Sequence, residues 1–205
     1  MEALIIILSL VVDSFVTCIG YSAMNIKIPL KYIFIINIIS IFILSTSIFS
    51  GNYIESFLPS YITKIFSFLI FFLIGIYKLF EGIFKKFFSK YLNREKPLTI
   101  KIFDFKFAFQ VYIDEIKADF DKSKQISLKE SIYLALALSL DSFAVGLGIS
   151  FLKINSYFFI MLCFVFGVFS FVLGSFIGKK FINKSNIDLS WLAGICLLLV
   201  AFMKL

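Results

Sequence analysis

Histidine is absent from all 205 residues of the chain. Without imidazole there is no histidine proton relay and no hydrolytic triad of the Ser-His-Asp kind, and any metal site has to be built from oxygen donors. Cysteine is scarce: Cys18, Cys163 and Cys196 stand singly in apolar runs with no CxxC spacing. They read as small apolar fillers, not as a zinc site or a disulfide framework. No phosphate-binding glycine loop and no nucleophile-base pair is present, so enzyme chemistry is not expected and no cofactor is implied. Charge is the most telling shortage. Only 16% of residues are charged against 60% hydrophobic, too little polar surface to cover a soluble domain of this length. The composition is that of an all-α integral membrane protein.

Six apolar segments of about membrane-spanning length follow one another at residues 2–24, 32–51, 65–84, 131–152, 156–178 and 189–204. The first lacks a basic leader and a small-residue cleavage site, and reads as a retained span. A long polar connection separates the third and fourth segments, so the chain divides into a three-helix repeat (1–84), an insert (85–130) and a second three-helix repeat (131–205). Lysine and arginine concentrate on one side: Lys27 and Lys31 in the first loop, eleven in the insert, and Lys179, Lys180 and Lys184 in the fifth loop. Opposite them stand Lys64, Lys153 and Lys204, while Lys78 lies within the third segment. The positive-inside rule places the insert in the cytoplasm and both termini outside. The net charge of +7 then serves anionic lipid at that face. Nucleic acid is not an expected partner, since the basic residues track one membrane face and show no base-stacking platform.

One phrase occurs twice, each time inside an apolar segment: Leu10-Val11-Val12-Asp13-Ser14-Phe15 and Leu138-Ser139-Leu140-Asp141-Ser142-Phe143. A carboxylate at a bilayer centre costs roughly 2.5 to 3.5 kcal/mol on insertion scales. Three spans precede the insert and three follow, so the first and fourth run in opposite directions and the repeat is inverted. The third and sixth spans echo each other in Leu73-Ile74-Gly75-Ile76 and Leu192-Ala193-Gly194-Ile195. Inverted repeats are a common transporter plan, with the substrate site near the midplane where the repeats meet. Asp13 and Asp141 both fall near the middle of their spans and are the expected pair for a divalent cation or proton site. The alternative is that they bond neighbouring hydroxyls and fix helix packing. Thr17 and Gly20 share a face with Asp13, Val145 and Gly148 share the matching face with Asp141, and Ser170, Gly174 and Gly178 form a small-residue stripe in the fifth span. Ser14, Ser142 and Asn37 are accessory oxygen donors, with Ser40, Ser45, Thr46 and Ser47 the other polar side chains of the second span. Glu81 reads first as an interfacial ion pair with Lys78, three residues earlier, and second as an accessory ligand.

A second motif lies at the end of the insert. Asp119-Phe120-Asp121-Lys122-Ser123-Lys124-Gln125-Ile126-Ser127-Leu128-Lys129-Glu130 follows an EF-hand loop, with oxygen donors at Asp119, Asp121, Ser123 and Glu130 and the Gln125 carbonyl between them. Lys124 stands where glycine makes the sharp turn, and must adopt a positive φ. Part of the motif also reads as a capping box of Ser127 and Glu130. A cation bound there, Mn2+ or Ca2+, would act on the helix that carries Asp141. Elsewhere in the insert, Lys85, Lys86, Lys90, Arg94 and Lys96 read as headgroup contacts, Pro97 as a break, and 98–109 as a short strand pair or an interfacial segment.

The two Asp-Ser-Phe phrases, the run Ser139-Leu140-Asp141-Ser142-Phe143-Ala144-Val145-Gly146-Leu147-Gly148, the region of Gly82 and Gly174-Ser175-Phe176-Ile177-Gly178-Lys179 together resemble the MntP-type manganese efflux pumps of the LysE transporter superfamily. Ser14 and Ser142 stand where that family usually has alanine, and its second-span acidic residue has no match here. The long insert looks more like the related YtaF-type sporulation membrane proteins. The resemblance implies six helices, a bacterial cell membrane, and either manganese export or a non-transporting role in spore formation in which the insert's loop responds to metal.

Overall fold

The computed structural model describes residues 2–23, 25–92, 119, 121, 123–152, 154–180 and 190–203. These form six helices: α1 Glu2–Ala23, α2 Leu30–Glu55, α3 Ser60–Leu92, α4 Leu128–Ser150, α5 Ser156–Lys180 and α6 Ser190–Phe202. The expected strand pair at 98–109, the break at Pro97 and the headgroup contacts from Lys85 to Lys96 lie outside the described residues or side chains. Helix starts are set by local chemistry. Pro29, at φ −59°, directly precedes α2, and the carbonyl of Pro59 accepts the Ile62 and Thr63 N–H groups at 2.9 and 3.2 Å as α3 begins. Proline at these places has no N–H to waste and a backbone already suited to a first turn. Asn155 Oδ1 accepts the Phe158 N–H at 3.2 Å at the head of α5.

Five of the helices, α1 to α5, are long and apolar enough to cross a membrane. The sixth expected span is helical over its described residues, Ser190–Phe202. The outer faces are apolar: Phe42 of α2 and Phe158, Met161, Phe169 and Phe176 of α5 are all more than half exposed. A soluble protein does not leave such a belt uncovered, whereas lipid covers it at no cost. The chain is a multi-pass membrane protein.

Helices joined by short loops do not pack mainly on each other. The substantial pairings among described residues are α2 with α4, α1 with α5, α3 with α6, α1 with α6, α3 with α4, α2 with α5 and α1 with α4. Every one joins a helix of the first three to a helix of the last three, so the two halves interlock. The close approaches come in matched sets. Ser47 on α2 donates to the Phe143 carbonyl and stands against Gly146 on α4, while Gly174 on α5 sits against the Phe15 carbonyl and Cys18 on α1. Gly51 is pressed against Ser150 and Leu147, and Gly178 against Ser22 and Ile19. Neither glycine has room for a Cβ, which is why the small-residue stripe of α5 is small; Ser170 adds a bond from its hydroxyl to the Val11 carbonyl at 2.8 Å.

Buried apolar side chains gather in two clusters. One includes Ile6, Ile7, Leu44, Ile48, Phe71, Val145 and Ile149; the other includes Cys18, Tyr21, Ile33, Ile36, Leu134, Ala137 and Phe171. In α1 the first cluster precedes Asp13 and the second follows it, and in α4 the order around Asp141 is reversed. The loops at one end are stitched together: the Lys27 N–H donates to the Lys124 carbonyl at 2.9 Å and the Ile126 N–H to the Lys27 carbonyl at 3.0 Å, and Ile26 and Ile126 bury in the same cluster. The end of α1 thus meets the start of α4, and the two helices run antiparallel.

Candidate functional site

The layer between the apolar clusters is where the polar side chains collect. Lys78 of α3 reaches across to both repeated aspartates, with Nζ 2.8 Å from Asp13 Oδ2 and 2.6 Å from Asp141 Oδ2. It also lies 3.3 Å from Glu81 Oε2, one helical turn along its own helix. The side chains of Lys78 and Glu81 are 3% and 4% exposed, those of Asp13 and Asp141 17% and 15%. Three carboxylates from three helices therefore converge on one ammonium. The ammonium donates to Asp13 Oδ2 and is paired by charge with Asp141 and Glu81. Charges this deep are retained only when paired in good geometry.

This geometry corrects the reading of Lys78 and Glu81 as an interfacial pair. Hydropathy ends the third span near residue 84, which puts Glu81 at the membrane edge, but α3 runs on to Leu92. Lys78 and Glu81 are both buried, and the 2.8 Å contact sets Lys78 level with Asp13. Lys78 is the member of this cluster that sequence reasoning passed over. The signal for it was present: two intramembrane carboxylates require a cation, and Lys78 is the lysine that lies within an apolar span.

The serines that follow the aspartates turn the other way. Ser14 and Ser142 line a cavity of about 40 Å³ together with Asn37, Ser40, Cys163 and Gly167. About 10–15 Å³ suffices for one water-sized occupant. Asn37 is 4% exposed, and its Nδ2 has no hydrogen-bond partner among the described residues. Gly167 packs directly on Asn37, and a Cβ there would lie 2.6 Å from the Asn37 Oδ1. α1 and α4 thus present carboxylates to the Lys78 side and neutral oxygens to the α2–α5 side. Other expected donors are used locally. Thr17 bonds the Asp13 carbonyl at 2.9 Å, Ser45 the Ile41 carbonyl at 2.7 Å and Thr46 the Ile43 carbonyl at 2.8 Å. Hard carboxylate, hydroxyl and amide oxygens are the donor set that suits Mn2+, Mg2+ or Ca2+.

In the loop before α4 the positive φ expected of Lys124 is present. Lys124 sits at φ 59°, and its N–H donates to Asp119 Oδ2 at 3.2 Å. Asp121 Oδ1 accepts the Ser123 N–H at 2.8 Å, and the Ser123 hydroxyl donates to the Gln125 carbonyl at 2.9 Å. Hydrogen bonds from the Ser123 side chain and backbone hold the Asp121 carboxyl below its ordinary 3.8. One oxygen each from Asp119, Asp121 and Glu130 lies within 4.8 Å of the others. The capping box is formed too: Glu130 Oε2 accepts the Ser127 N–H at 2.7 Å while Ser127 Oγ accepts the Glu130 N–H at 3.5 Å. The same carboxylate serves the helix cap and points at the acidic turn.

Comparison with known proteins adds an independent line. Residues 60–205 match the family model described as "Putative manganese efflux pump". The chain is 28% identical over 211 residues to the "Probable sporulation protein YtaF" of Bacillus subtilis (strain 168), covering 98% of this chain and 97% of that protein. It is similar over a shorter stretch to two proteins named "Putative manganese efflux pump MntP". The one from Methanosphaera stadtmanae is 35% identical over 79 residues, 37% of this chain and 42% of that protein. The one from Crocosphaera subtropica is 34% identical over 85 residues, 40% of this chain and 44% of that protein. No solved structure matches.

Proposed function

The chain belongs to the MntP manganese-efflux-pump family, and on that premise we propose that it exports a divalent cation, Mn2+ first, through a midplane site built on Asp13 and Asp141. The observation that carries this reading is the convergence of the two carboxylates, from helices of different halves, on one cation between two apolar clusters. Glu81 belongs to the same site, and Ser14, Ser142 and Asn37 supply neutral oxygens beside it. The scaffold is a 3+3 inverted repeat. Exchanging α1 with α4, α2 with α5 and α3 with α6 leaves the set of helix pairings unchanged, and the paired approaches at Gly51 and Gly178 support the same relation. The insert and the first loop face the cytoplasm with their lysines on anionic lipid, and both termini face outward.

The test is Mn2+ uptake into proteoliposomes under an imposed pH gradient, with Ca2+ as competitor. Asp13→Asn and Asp141→Asn should each abolish saturable flux while the protein still elutes as a folded species. Wild-type flux that survives both substitutions would remove the site. A second reading is favoured by the similarity to the sporulation protein over nearly the whole of both chains: a membrane protein that moves no ion and whose loop at Asp119, Asp121, Ser123, Gln125 and Glu130 binds Mn2+ or Ca2+ to engage a partner. Absence of flux, with metal binding lost in Asp119→Asn and Glu130→Gln, is its signature.

A further inference from the structure

We propose that Lys78 is a tethered counter-cation, which holds the Asp13–Asp141–Glu81 cage closed when no metal is present and has to leave for a divalent cation to enter. The inference rests on the reading of the cage as the metal site, and goes beyond it by making occupancy an exchange between a side chain and the transported ion.

Three observations carry it. The ammonium occupies the point on which all three carboxylates converge, at 2.8, 2.6 and 3.3 Å, the position from which a bare cation would draw oxygens from all of them. A divalent ion on the same oxygens would sit against the ammonium charge in a poorly screened environment, so the two exclude each other. Without either, three carboxylates would face one another across a few ångströms and repel. Lys78 therefore keeps the unloaded site assembled. The second observation is that the charge is one-sided. In the register set by Gly75 and Gly194, Leu197 and Val200 of α6 correspond to Lys78 and Glu81, and both are fully buried apolar residues. One ammonium serves both aspartates. The third is reach: α1 is not among the main packing partners of α3, so the contact with Asp13 is made by the long flexible lysine chain and not by helix packing. A tethered charge of this kind can withdraw without the bundle coming apart.

The consequence is a site that is never without a cation, which lets the unloaded protein change conformation without bare carboxylates in the membrane. It also weakens metal binding, since part of the binding energy goes into displacing Lys78.

The experiment is equilibrium Mn2+ binding to the purified full chain in detergent, read by loss of the free-ion paramagnetic resonance signal. Lys78→Met should lower the dissociation constant at least tenfold, and Asp13→Asn with Asp141→Asn in the same background should erase that gain. The aspartate dependence separates the cage from any ion held by the loop at Asp119–Glu130. Where Lys78→Met fails to elute as a folded species, Lys78→Gln keeps all three carboxylates, offers them a neutral amide donor in place of the ammonium, and carries the same readout. Aspartate-dependent binding that is no tighter without Lys78 than with it would overturn the inference and leave the cage standing as a metal site. No aspartate-dependent binding in any variant, wild type included, would overturn the cage reading and the inference together.

Discussion

α3 and α6 hold matching places in the two halves, pack on each other, and differ in what they bury. Gly75 of α3 presses against Leu198 of α6. One turn further on, α3 buries Lys78 and Glu81 at 2% and 3% exposure, while α6 buries Leu197 and Val200 at 0%. Equal burial with opposite chemistry separates two roles that the repeat would otherwise blur. The repeated Asp-Ser-Phe phrase supplies two carboxylates, on α1 and α4, and both reach one ammonium. The charge that joins them comes from a departure from symmetry, because two ammonium groups at the same point would repel as strongly as the two aspartates do. Three carboxylates with one ammonium leave the cage net negative, and withdrawal of that single ammonium would open all three to a divalent ion.

The largest test of this comparison is to remove the charge from α3. Lys78→Met leaves buried carboxylates without their partner, and breaking such a pair costs about 3–5 kcal/mol. Leu197→Met, the corresponding change in α6, conserves volume and should cost less than about 1.5 kcal/mol. Denaturation midpoints in the same detergent measure both. Adding Glu81→Gln to Lys78→Met should recover part of the loss, and failure to do so would mean that Glu81 does not share the cage charge. Next in size is a transplant. Lys78→Leu combined with Leu197→Lys moves the ammonium to the other half, and should be more stable than Lys78→Leu alone by at least 1 kcal/mol, about the worth of one charged hydrogen bond. A combined variant no better than the single one would break the register between the halves.

Smaller effects test where the symmetry holds. Gly51→Ala and Gly178→Ala each force a methyl group into the facing helix, against Ser150 and Ser22 respectively, and should both cost about 1–3 kcal/mol. Gly148 and Gly20 are repeat mates by the Asp-Ser-Phe register but not in packing. A Cβ at Gly148 meets the Phe71 ring, whereas none of the described atoms lies within 4 Å of one at Gly20. Gly148→Ala should therefore destabilise, and Gly20→Ala should stabilise by about 0.5–1 kcal/mol, the helix-propensity gain alone. Equal effects at the two sites would mean that the opening beside Gly20 closes in the membrane.

Much of this was legible in the residues. Apolar runs located all six helices, most to within a few positions and α3 short by five residues at its start and eight at its end, because a membrane segment has to be continuously apolar for its whole length. The repeated Asp-Ser-Phe phrase marked the two carboxylates, and the spacing of Ser170, Gly174 and Gly178 marked the face of α5 that meets α1. Lys78 was misjudged because hydropathy locates the apolar stretch and not the helix. Hydropathy does not say which residues of other helices a side chain reaches: Lys78 is buried and bonded to Asp13 at 2.8 Å, level with the repeated aspartates. The cavity at Asn37 was only half visible: its polar residues could be named, but the space between them depends on Gly167, which no pattern within one helix reveals.

The smallest effect concerns the start of α4. Among the described helices α2 begins at Pro29 with no side-chain cap, whereas α4 begins with a reciprocal capping box and a stitched loop. Ser127→Ala removes the acceptor for the Glu130 N–H and leaves the Glu130 carboxylate bonded to the N–H of residue 127, so it should cost about 1 kcal/mol. If the cap serves only helix α4, added Mn2+ or Ca2+ will not alter that cost. If the carboxylates of Asp119, Asp121 and Glu130 also share an ion, millimolar metal will offset the loss in Ser127→Ala by mass action and will not do so in Asp119→Asn with Ser127→Ala. Melting curves of the two variants with and without metal decide whether the loop is a cap alone or a cap that a cation reinforces. The second outcome would extend the comparison of the halves, since the metal-responsive end would belong to the helix that carries Asp141 and not to the helix that carries Asp13.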